Sequence, residues 1–323
     1  MDIITRIRKA NFLGRGGANF STAKKWEMFK NEKMDKKYII CNASEGEPDV
    51  FKDEYLIANF PEEIINGIKI ALDFFSNSQA YIYLRKDLYL KFGLKLKKII
   101  KKEKIKLFKE TGGYLCGEET TLISSMEHQR REPKIKPPYP LQKGLKGKPT
   151  LINNVETFYY ISKIAKQEYK KTRFYCISKD AKKQGVFELP IDWSVKKILQ
   201  KTKNYPEYDF FVQVGGGACG KIVFGKELNK SVCGTGAIIV YNVKQDLIKL
   251  MQKWVNFYIN ENCGKCVPCR EGFYRIREIL NSKKIDWKLL KDILEVMKET
   301  SLCGLGTSAP TAFLSLMEMM KYR

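Results

Sequence analysis

Residues 38–49 read Tyr-Ile-Ile-Cys-Asn-Ala-Ser-Glu-Gly-Glu-Pro-Asp, a short apolar run that passes directly into an acidic turn. The run Tyr38–Asn42 predicts a buried strand, and the turn at its carboxyl end is polar. Ligand sites in α/β proteins collect at the carboxyl ends of parallel strands, because the loops there meet at one edge of the sheet. This stretch therefore predicts a parallel sheet with a ligand site at its edge.

The segments that follow continue an alternation of helices and strands. An amphipathic helix over Glu62–Phe75 precedes a strand over Gln79–Leu84, and a lysine-rich helix precedes a short strand over Ile105–Phe108. Strands that alternate with helices indicate crossover connections and a parallel sheet. The predicted fold class of this half is therefore α/β.

Three further segments have the composition of ligand-binding loops. Residues 14–22 read GRGGANFST and follow a short helix over Ile3–Asn11, residues 112–121 read GGYLCGEETT, and residues 153–157 read NNVET. Glycines let backbone N–H groups approach an anionic or flat ligand, and a helix N-terminus favours a phosphate. The first loop is not a Rossmann fingerprint, because it follows a helix and not a strand. Together the loops predict one nucleotide-type site.

A cysteine cluster marks the C-terminal part of the chain. Cys263, Cys266 and Cys269 form a C-x-x-C-x-x-C loop, and Cys303 is the only cysteine downstream. Residues 271–300 predict two amphipathic helices, which would return the fourth thiolate to the loop. Three close thiolates and one distant thiolate are a known way to ligate [4Fe–4S].

Zinc is the competing metal for these cysteines. Structural zinc sites usually pair two C-x-x-C elements or combine cysteine with histidine. The sole histidine, His128, lies far from the cysteines in sequence. The spacing therefore favours an iron–sulfur cluster over zinc.

The net charge is large and positive, but it does not indicate a nucleic-acid-binding protein. The 323 residues include 59 Lys and Arg against 36 Asp and Glu, a formal charge of +23. Lysine predominates and is spread along the whole chain, whereas base and phosphate recognition favours clustered arginine. We expect no nucleic-acid partner, while an acidic protein partner is compatible with the charge.

The remaining cysteines and the hydropathy indicate a cytoplasmic protein. Five cysteines occur singly and are predicted to be structural thiols: Cys41, Cys116, Cys176, Cys219 and Cys233. No apolar run is long enough to span a bilayer, and the N-terminus has no apolar signal segment. We expect the protein to meet the inner face of the cell membrane only through partner subunits.

The motifs together resemble the FMN- and NADH-binding flavoprotein subunit of respiratory complex I, and its relatives in NAD-linked hydrogenases and formate dehydrogenases. The resemblance covers about residues 3–315 and rests, in order, on GRGGANF, CNASEGEP, FKD, GGYLCGEET, KPPYP, NNVET, CGKCVPCREG and SLCGLG. It implies three domains: a Rossmann-like FMN/NADH-binding α/β domain at 1–171, a small β-grasp domain of the soluble-ligand-binding type at 172–242, and a helical [4Fe–4S] domain at 243–323.

The resemblance also assigns residues to each cofactor. The residues expected to contact FMN are Gly14, Arg15, Gly16, Lys25, Asn42, Ser44, Glu45, Tyr114, Gly117, Glu118, Asn153 and Asn154. The residues expected to contact NADH are Phe20, Glu47, Glu119, Lys136 and Tyr139, with the two aromatic rings enclosing the adenine. Glu119 would favour NADH over NADPH, because a carboxylate that accepts ribose hydroxyls repels a 2′-phosphate. No side chain is assigned as a catalytic acid or base, because the hydride passes directly between nicotinamide and flavin.

The implied function is the electron-input subunit of a complex I-type NADH dehydrogenase. Hydride would pass from NADH to FMN, and single electrons would then reach the cluster and two partners, a [2Fe–2S] thioredoxin-like subunit and a larger iron–sulfur subunit. Two alternatives stay open: a subunit that accepts electrons from ferredoxin or flavodoxin, and the flavoprotein subunit of an NAD-linked hydrogenase or formate dehydrogenase. A scaffold without flavin is disfavoured by the retained motif residues.

Four positions depart from the family pattern around the expected nucleotide. Asn19 replaces the final glycine of the first loop, Ser44 replaces an aspartate, Asp49 replaces a glycine and Met28 replaces an aromatic residue. Asparagine tolerates a left-handed backbone but adds a side chain. None of the departures is a predicted cluster ligand.

Overall fold

The computed structural model describes residues 1–101, 103–232 and 234–321. Within these residues the chain forms two compact units. The first holds Met1–Gly46, Phe51–Phe174 and Glu188–Ile191, and the second holds the remainder of the chain. None of the described helices is long and apolar enough to cross a lipid bilayer.

A four-stranded sheet forms the centre of the first unit. Its strands are β1 (Lys37–Ala43), β2 (Ser78–Leu84), β3 (Ile105–Lys109) and β4 (Thr150–Asn154), in the order β3-β2-β1-β4. All three strand pairs are parallel, so the carboxyl ends of the four strands lie at one edge. The apolar run that predicted β1 is buried almost throughout. The prediction of a parallel α/β fold is confirmed.

Helices flank this sheet along the chain. They are α1 (Ile3–Lys9), α2 (Thr22–Asn31), α3 (Lys52–Asn59), α4 (Pro61–Phe74), α5 (Lys86–Ile100), α6 (Glu119–Met126) and α7 (Val155–Ala165). Short 3₁₀ turns occupy Tyr114–Gly117 and Leu145–Gly147. Residues 155–162 of α7 are all buried. Because α7 starts directly at the end of β4, the sheet edge is joined to the interior of the unit.

A mixed five-stranded sheet lies mostly in the second unit, and only residues 172–174 and 188–190 of its strands belong to the first. Its strands are β5 (Thr172–Lys179), β6 (Gly185–Pro190), β7 (Phe210–Val214), β8 (Lys221–Val223) and β9 (Ala237–Asn242), in the order β6-β5-β9-β7-β8. The first and last strands, β5 and β9, are parallel neighbours, whereas β7 is antiparallel to β8 and β9. Helix α8 (Val195–Lys201) connects the two halves of the sheet. This is the order expected for the predicted β-grasp segment.

The C-terminal segment of the second unit is helical, as predicted. It contains α9 (Leu247–Glu261), α10 (Val267–Leu280), α11 (Trp287–Thr300), α12 (Gly304–Ser308) and α13 (Pro310–Met320). The two helices predicted between residues 271 and 300 are α10 and α11. The backbone N–H of Ile222 in β8 donates to Ser315 Oγ in α13 (2.9 Å), which ties the sheet to the helices. The two sections therefore form one compact unit, and a domain boundary at residue 242 stays a prediction.

The cysteines that occur singly are mostly interior. Cys41, Cys116 and Cys176 are buried, as expected of structural thiols, and Cys219 is half-buried. Cys233 lies outside the described residues.

Candidate functional site

The loops predicted to hold FMN meet at the carboxyl edge of the parallel sheet in the first unit. Asn42, near the end of β1, donates from Nδ2 to the carbonyl oxygen of Gly117 (2.9 Å) and accepts the N–H of Ser44 at Oδ1 (3.1 Å). A Cβ at Gly117 would lie 3.2 Å from the carbonyl oxygen of Ser44, and one at Gly16 would lie 3.3 Å from Cβ of Asn154. The structure thus brings residues from four predicted loops into close contact.

Two ion pairs connect the residues predicted for FMN with those predicted for NADH. Lys25 Nζ donates to Glu119 Oε1 (2.5 Å) and to the carbonyl oxygen of Ile152 (2.7 Å). Lys136 Nζ donates to Glu118 Oε1 (2.8 Å). Each pair joins one predicted FMN residue to one predicted NADH residue. The two predicted sets therefore lie side by side, and a bound nucleotide would compete with these existing contacts.

Glu118 also fixes the start of α6. Its Oε2 accepts the N–H groups of Thr120 (2.9 Å) and Thr121 (2.8 Å), which the first turn of a helix leaves unpaired. Burial alone would raise the pKa of Glu118, but hydrogen bonds from Lys136 and Thr120 outweigh it, and the pKa is lowered. The carboxylate is therefore charged at neutral pH.

The two aromatic residues predicted to enclose adenine are open to solvent. Phe20 is 50% exposed and Tyr139 is 49% exposed, whereas the other phenylalanine, tyrosine and tryptophan residues of this unit are buried or half-buried. Exposed rings of this kind offer a free face on which a base can stack. Met28, at a position where the family has an aromatic residue, is also exposed. The stacking role stays a prediction.

Two of the departures from the family pattern keep a backbone shape suited to glycine. Asn19 has φ of 51° and Asp49 has φ of 59°, both in the left-handed region. Asparagine and aspartate are among the non-glycine residues most often found there. At a third departure, the hydroxyl of Ser44 donates to the buried carboxylate of Glu110. A carboxylate therefore still lies beside the position that the family fills with aspartate.

The side chain of Arg15 anchors the glycine-rich loop to the interior of the first unit. Only 5% of Arg15 is exposed. Its Nη2 donates to the hydroxyl of Tyr169 (3.0 Å), its guanidinium lies over the ring of Phe12 (4.9 Å), and its backbone N–H donates to Thr157 Oγ1 (3.0 Å). A direct contact between Arg15 and FMN stays a prediction, since the side chain is engaged elsewhere.

A buried cluster of charges, made of Glu45, Lys52, Asp53 and Glu156, was not predicted from the sequence. Lys52 Nζ lies 2.9 Å from Glu156 Oε2 and 3.2 Å from Asp53 Oδ1. Glu45 Oε2 accepts the N–H of Asp53 (2.9 Å), and Asp53 Oδ2 accepts a hydrogen bond from Asn154 (2.8 Å). The motif FKD was the available signal, but it does not show what the lysine and aspartate contact. The cluster joins two predicted FMN residues, Glu45 and Asn154, to the interior.

Burial and the charges of this cluster shift the pKa values of its members. Burial and the negative charge of Asp53 raise the pKa of Glu45 to about 8, although Lys52 opposes the shift. Burial works against the charge on Lys52, but Asp53 and Glu156 outweigh it and raise its pKa. Burial likewise raises the pKa of Asp53. The lysine therefore stays charged, and Glu45 holds a proton near neutral pH.

We expect the first unit to lose stability as the pH rises from about 4.5 towards about 8. The pKa of Glu45 is higher in the folded state than in the unfolded state. Its contribution to the free energy of unfolding is therefore complete below the pKa of the unfolded state, and is lost as the pH rises through the pKa of the folded state. The loss should be about 1–3 kcal/mol. Urea unfolding, followed through FMN release, should show this decline in the wild type and a flatter profile in Glu45→Gln. Identical profiles would contradict the shift.

The four predicted cluster ligands come together in the second unit. Burial raises the pKa of Cys269, and the neighbouring thiols of Cys266, Cys303 and Cys263 raise it further. Three thiols that all act on a fourth must lie close to it. Arg270 Nη1 donates to the carbonyl oxygen of Gly264 (2.8 Å) and so closes the loop between the first two cysteines. The donor set, four thiols and no histidine, fits an iron–sulfur cluster.

A glycine allows Cys303 to return to this loop. A Cβ at Gly306 would lie 3.3 Å from Cβ of Cys269 and would collide with the side chain of Ser301. The turn that carries Cys303 therefore packs directly against Cys269, because Gly306 has no side chain. This contact explains the second glycine of the motif SLCGLG.

Among the described residues, no three Cys, His, Asp or Glu side chains form a group that could hold one metal ion. Each thiolate of a [4Fe–4S] cube binds a different iron. The choice of a cube over tetrahedral zinc rests on the spacing of the cysteines in the sequence.

Glu47, predicted to contact NADH, belongs to the second unit and is engaged there. Its carboxylate accepts the N–H of Ala218 (3.0 Å) and the thiol of Cys219 (3.1 Å). A Cβ at Gly216 would lie 2.8 Å from this carboxylate. The segment from Gly216 to Cys219 therefore holds Glu47, and the contact of Glu47 with NADH stays a prediction.

A parallel sheet with ligand-type loops at its carboxyl edge, in one chain with a four-thiol centre, defines a nucleotide-binding α/β protein that carries a cluster. Two family models match such a chain here. The Nuo51 FMN-binding domain matches residues 7–163, and the NADH-ubiquinone oxidoreductase-F iron-sulfur binding region matches residues 249–322.

Full-length relatives extend this match. The chain is 33% identical to the F-type component of the NADH-quinone oxidoreductase of Aquifex aeolicus, over 95% of the chain and 82% of the relative. It is 31% identical to the alpha component of the NAD-reducing hydrogenase HoxS of Cupriavidus necator, over 98% of the chain and 59% of that relative. The chain therefore belongs to the NADH-quinone oxidoreductase-F family.

A solved structure agrees with this assignment. The crystal structure of an NAD⁺-reducing [NiFe]-hydrogenase in the H₂-reduced state superimposes with a TM-score of 0.91 at 28% identity, over 99% of this chain and 61% of that one. The chain thus spans about three fifths of the HoxS alpha component and of the crystallised hydrogenase chain. The family confirms FMN and [4Fe–4S] as the predicted cofactors, while the individual contact residues stay predictions.

Proposed function

We propose that this chain accepts hydride from NADH on FMN bound at the sheet edge, and passes single electrons to a cluster held by Cys263, Cys266, Cys269 and Cys303. Family membership confirms the predicted class, an NADH dehydrogenase-type electron-input subunit. The observation that most supports the proposal is the pair of ion pairs, Lys25–Glu119 and Lys136–Glu118, which join the two predicted nucleotide sites.

FMN, when bound, supplies a two-electron acceptor that can release electrons one at a time. The chain's residues position it. We assign the polar edge of the flavin to Asn42, Ser44 and Glu45 at the end of β1. Thr22 Oγ1 is buried without a hydrogen-bond partner among the described residues and lies 4.0 Å from where a Cβ at Gly14 would be. Such an unpaired hydroxyl supports the glycine-rich loop as a ligand site, since buried polar groups normally have partners.

NADH would bind over the flavin with its adenine between Phe20 and Tyr139. The adenine would stack on the exposed faces of these two rings. Burying their apolar surface would stabilise the complex by about 25 cal/mol per Å². Lys136 and Glu119 would contact the polar groups of the nucleotide. The residues orient the two rings and exclude water, and no protein proton is transferred in the hydride step.

We expect Glu119→Gln to increase the use of NADPH relative to NADH. The substitution removes a negative charge that would face the 2′-phosphate, and it frees Lys25, which Glu119 now holds at 2.5 Å. Removing one charge repulsion of about 1–2 kcal/mol corresponds to a change of about 5- to 30-fold in the ratio of kcat/KM values. Steady-state rates with both nucleotides measure it. Glu127→Gln, on the same unit, is the matched control and should leave the ratio unchanged.

The partners are proposed from the relatives. Those relatives are named as subunits of an NADH-quinone oxidoreductase and of hydrogenases. We propose a [2Fe–2S] thioredoxin-like subunit and a larger iron–sulfur subunit as the electron acceptors of this chain. Through them the chain would lie on the cytoplasmic side of the cell membrane.

Anaerobic titration of the reconstituted holoprotein tests the proposed donor. We expect NADH to bleach the flavin absorbance within the mixing time of a hand-mixed sample. The net charge of +23 also suits an acidic protein donor, so reduced ferredoxin and reduced flavodoxin are compared with NADH. Bleaching by either protein but not by NADH would overturn the proposal and support a protein-fed subunit.

A further inference from the structure

The hydroxyl of Tyr258 is an unpaired polar group in the interior of the second unit. Tyr258 lies in the last turns of α9 and is completely buried. Its hydroxyl has no hydrogen-bond partner among the described residues. A buried hydroxyl left without a partner costs about 1–3 kcal/mol. A group outside the protein chain is therefore the natural partner of this hydroxyl.

The ring of Tyr258 lies against the face of α10 that carries a predicted cluster ligand. Tyr258 stacks on Phe273 with ring centroids 4.7 Å apart and planes 4° apart. Cys269 precedes Phe273 by four residues on the same helix, so the two share one face. The ring of Tyr258 therefore packs one helical turn from the predicted ligand.

Within the described residues, neither Glu47 nor Cys219 accepts a hydrogen bond from the hydroxyl of Tyr258. The carboxylate of Glu47 instead accepts from Ala218 and from the thiol of Cys219. A thiolate bound to iron keeps lone pairs that can accept a hydrogen bond.

A second unpaired hydroxyl lies near the same cysteine. Ser301 Oγ is buried without a partner among the described residues. The point where a Cβ at Gly306 would stand is 3.3 Å from Cβ of Cys269 and touches the side chain of Ser301. Ser301 and Cys269 therefore border the same small space. One unpaired hydroxyl thus borders a predicted ligand, and a second belongs to a ring that stacks one helical turn after it.

We propose that Tyr258 and Ser301 donate hydrogen bonds to the sulfurs of the cluster at Cys269 and thereby raise its reduction potential. The inference rests on the proposed ligand set. A [4Fe–4S] cluster held by these cysteines would accept one electron at a time, supplied by the flavin, and its reduced form would carry one more negative charge. The added negative charge strengthens a hydrogen bond to sulfur, so the reduced state gains more from each donor than the oxidised state does.

Tyr258→Phe removes the hydroxyl and keeps the ring that stacks on Phe273. An EPR-monitored potentiometric titration of the holoprotein should show a more negative cluster potential. We expect about a tenfold change in the reduction equilibrium, which is about 59 mV for one electron. Ser301→Ala should shift the potential in the same direction. Tyr241→Phe is the matched control, because that buried hydroxyl already donates to Gln213 (3.2 Å).

A spectroscopic signature separates hydrogen bonding from a purely structural role. ENDOR spectra of the reduced cluster in H₂O and D₂O should show an exchangeable proton in the wild type that is lost in Tyr258→Phe. Iron analysis of the wild type checks the ligand set independently, since an iron-free wild type would overturn the proposed function itself. An unchanged potential together with an unchanged ENDOR spectrum, in an iron-replete variant, would overturn this inference and assign the hydroxyl to a buried water.

Discussion

Replacement of Cys303 with alanine is expected to abolish electron transfer beyond the flavin. Cys303 supplies the fourth thiolate, and its thiol is one of the three that act on Cys269. A [4Fe–4S] cube with three thiolates has one exposed iron, which is readily lost. We expect the variant to lose at least one iron per chain and the EPR signal of the reduced cluster. Iron analysis and low-temperature EPR measure both.

The matched control for this change is Cys176→Ala. Cys176 is buried in β5 of the same unit and is not a predicted ligand. Its replacement costs some packing energy, about 1 kcal/mol, but should leave iron and EPR signal intact. A Cys303→Ala protein that kept its full iron complement and an unchanged EPR spectrum would remove Cys303 from the ligand set.

Lys52→Met is expected to cost the first unit about 3–5 kcal/mol of unfolding free energy. The lysine is 1% exposed and lies within 3.2 Å of both Asp53 and Glu156. Its removal leaves carboxylates in the interior without a positive partner. Losing one partner of a buried ion pair destabilises a protein far more than the intact pair stabilises it. Urea unfolding followed through FMN release measures the change. Weaker FMN retention should accompany it, because Asp53 holds Asn154 at the sheet edge.

Two further variants show whether charge is the cause. Lys91→Met breaks the pair with Glu54 on the surface (2.6 Å) and should cost less than about 1 kcal/mol. The double change Lys52→Met with Glu156→Gln removes a charge of each sign and should recover part of the loss. A loss as small in Lys52→Met as in Lys91→Met would contradict the role given to the buried cluster.

Most of the fold could be predicted, because local patterns determine it. The apolar run before Asn42 and the alternation that follows specify β1, β2 and β3, which pair in parallel. The strand β4, which ends in the motif NNVET, was not predicted. The grouping of Glu47–Val50 with the second unit could not be predicted. Glu47 is held there by hydrogen bonds from Ala218 and Cys219, about 170 residues further along the chain, which no local pattern predicts.

The sequence predicts the parts of the candidate site whose residue types and spacing indicate a ligand. It does not predict the parts whose role depends on burial in the folded chain. Cysteine spacing indicates a cluster directly, and the thiols do come together. Lys52 and Tyr258, in contrast, have ordinary sequence contexts. Both side chains are completely buried in the fold. A buried charge or hydroxyl has no water to bind, so only the few groups around it can stabilise it. Pairs such as Lys25–Glu119 also depend on loops far apart in sequence.

Low-temperature EPR of the anaerobic holoprotein after addition of NADH tests the central claim most directly. Electrons from the nucleotide must pass the flavin to reach the four cysteines, so both cofactors are examined in one sample. We predict that the flavin bleaches and that the signal of a reduced [4Fe–4S] cluster appears in the wild type but not in Cys303→Ala. A bleached flavin beside a cluster that stays oxidised, yet is reducible by dithionite, would contradict the account.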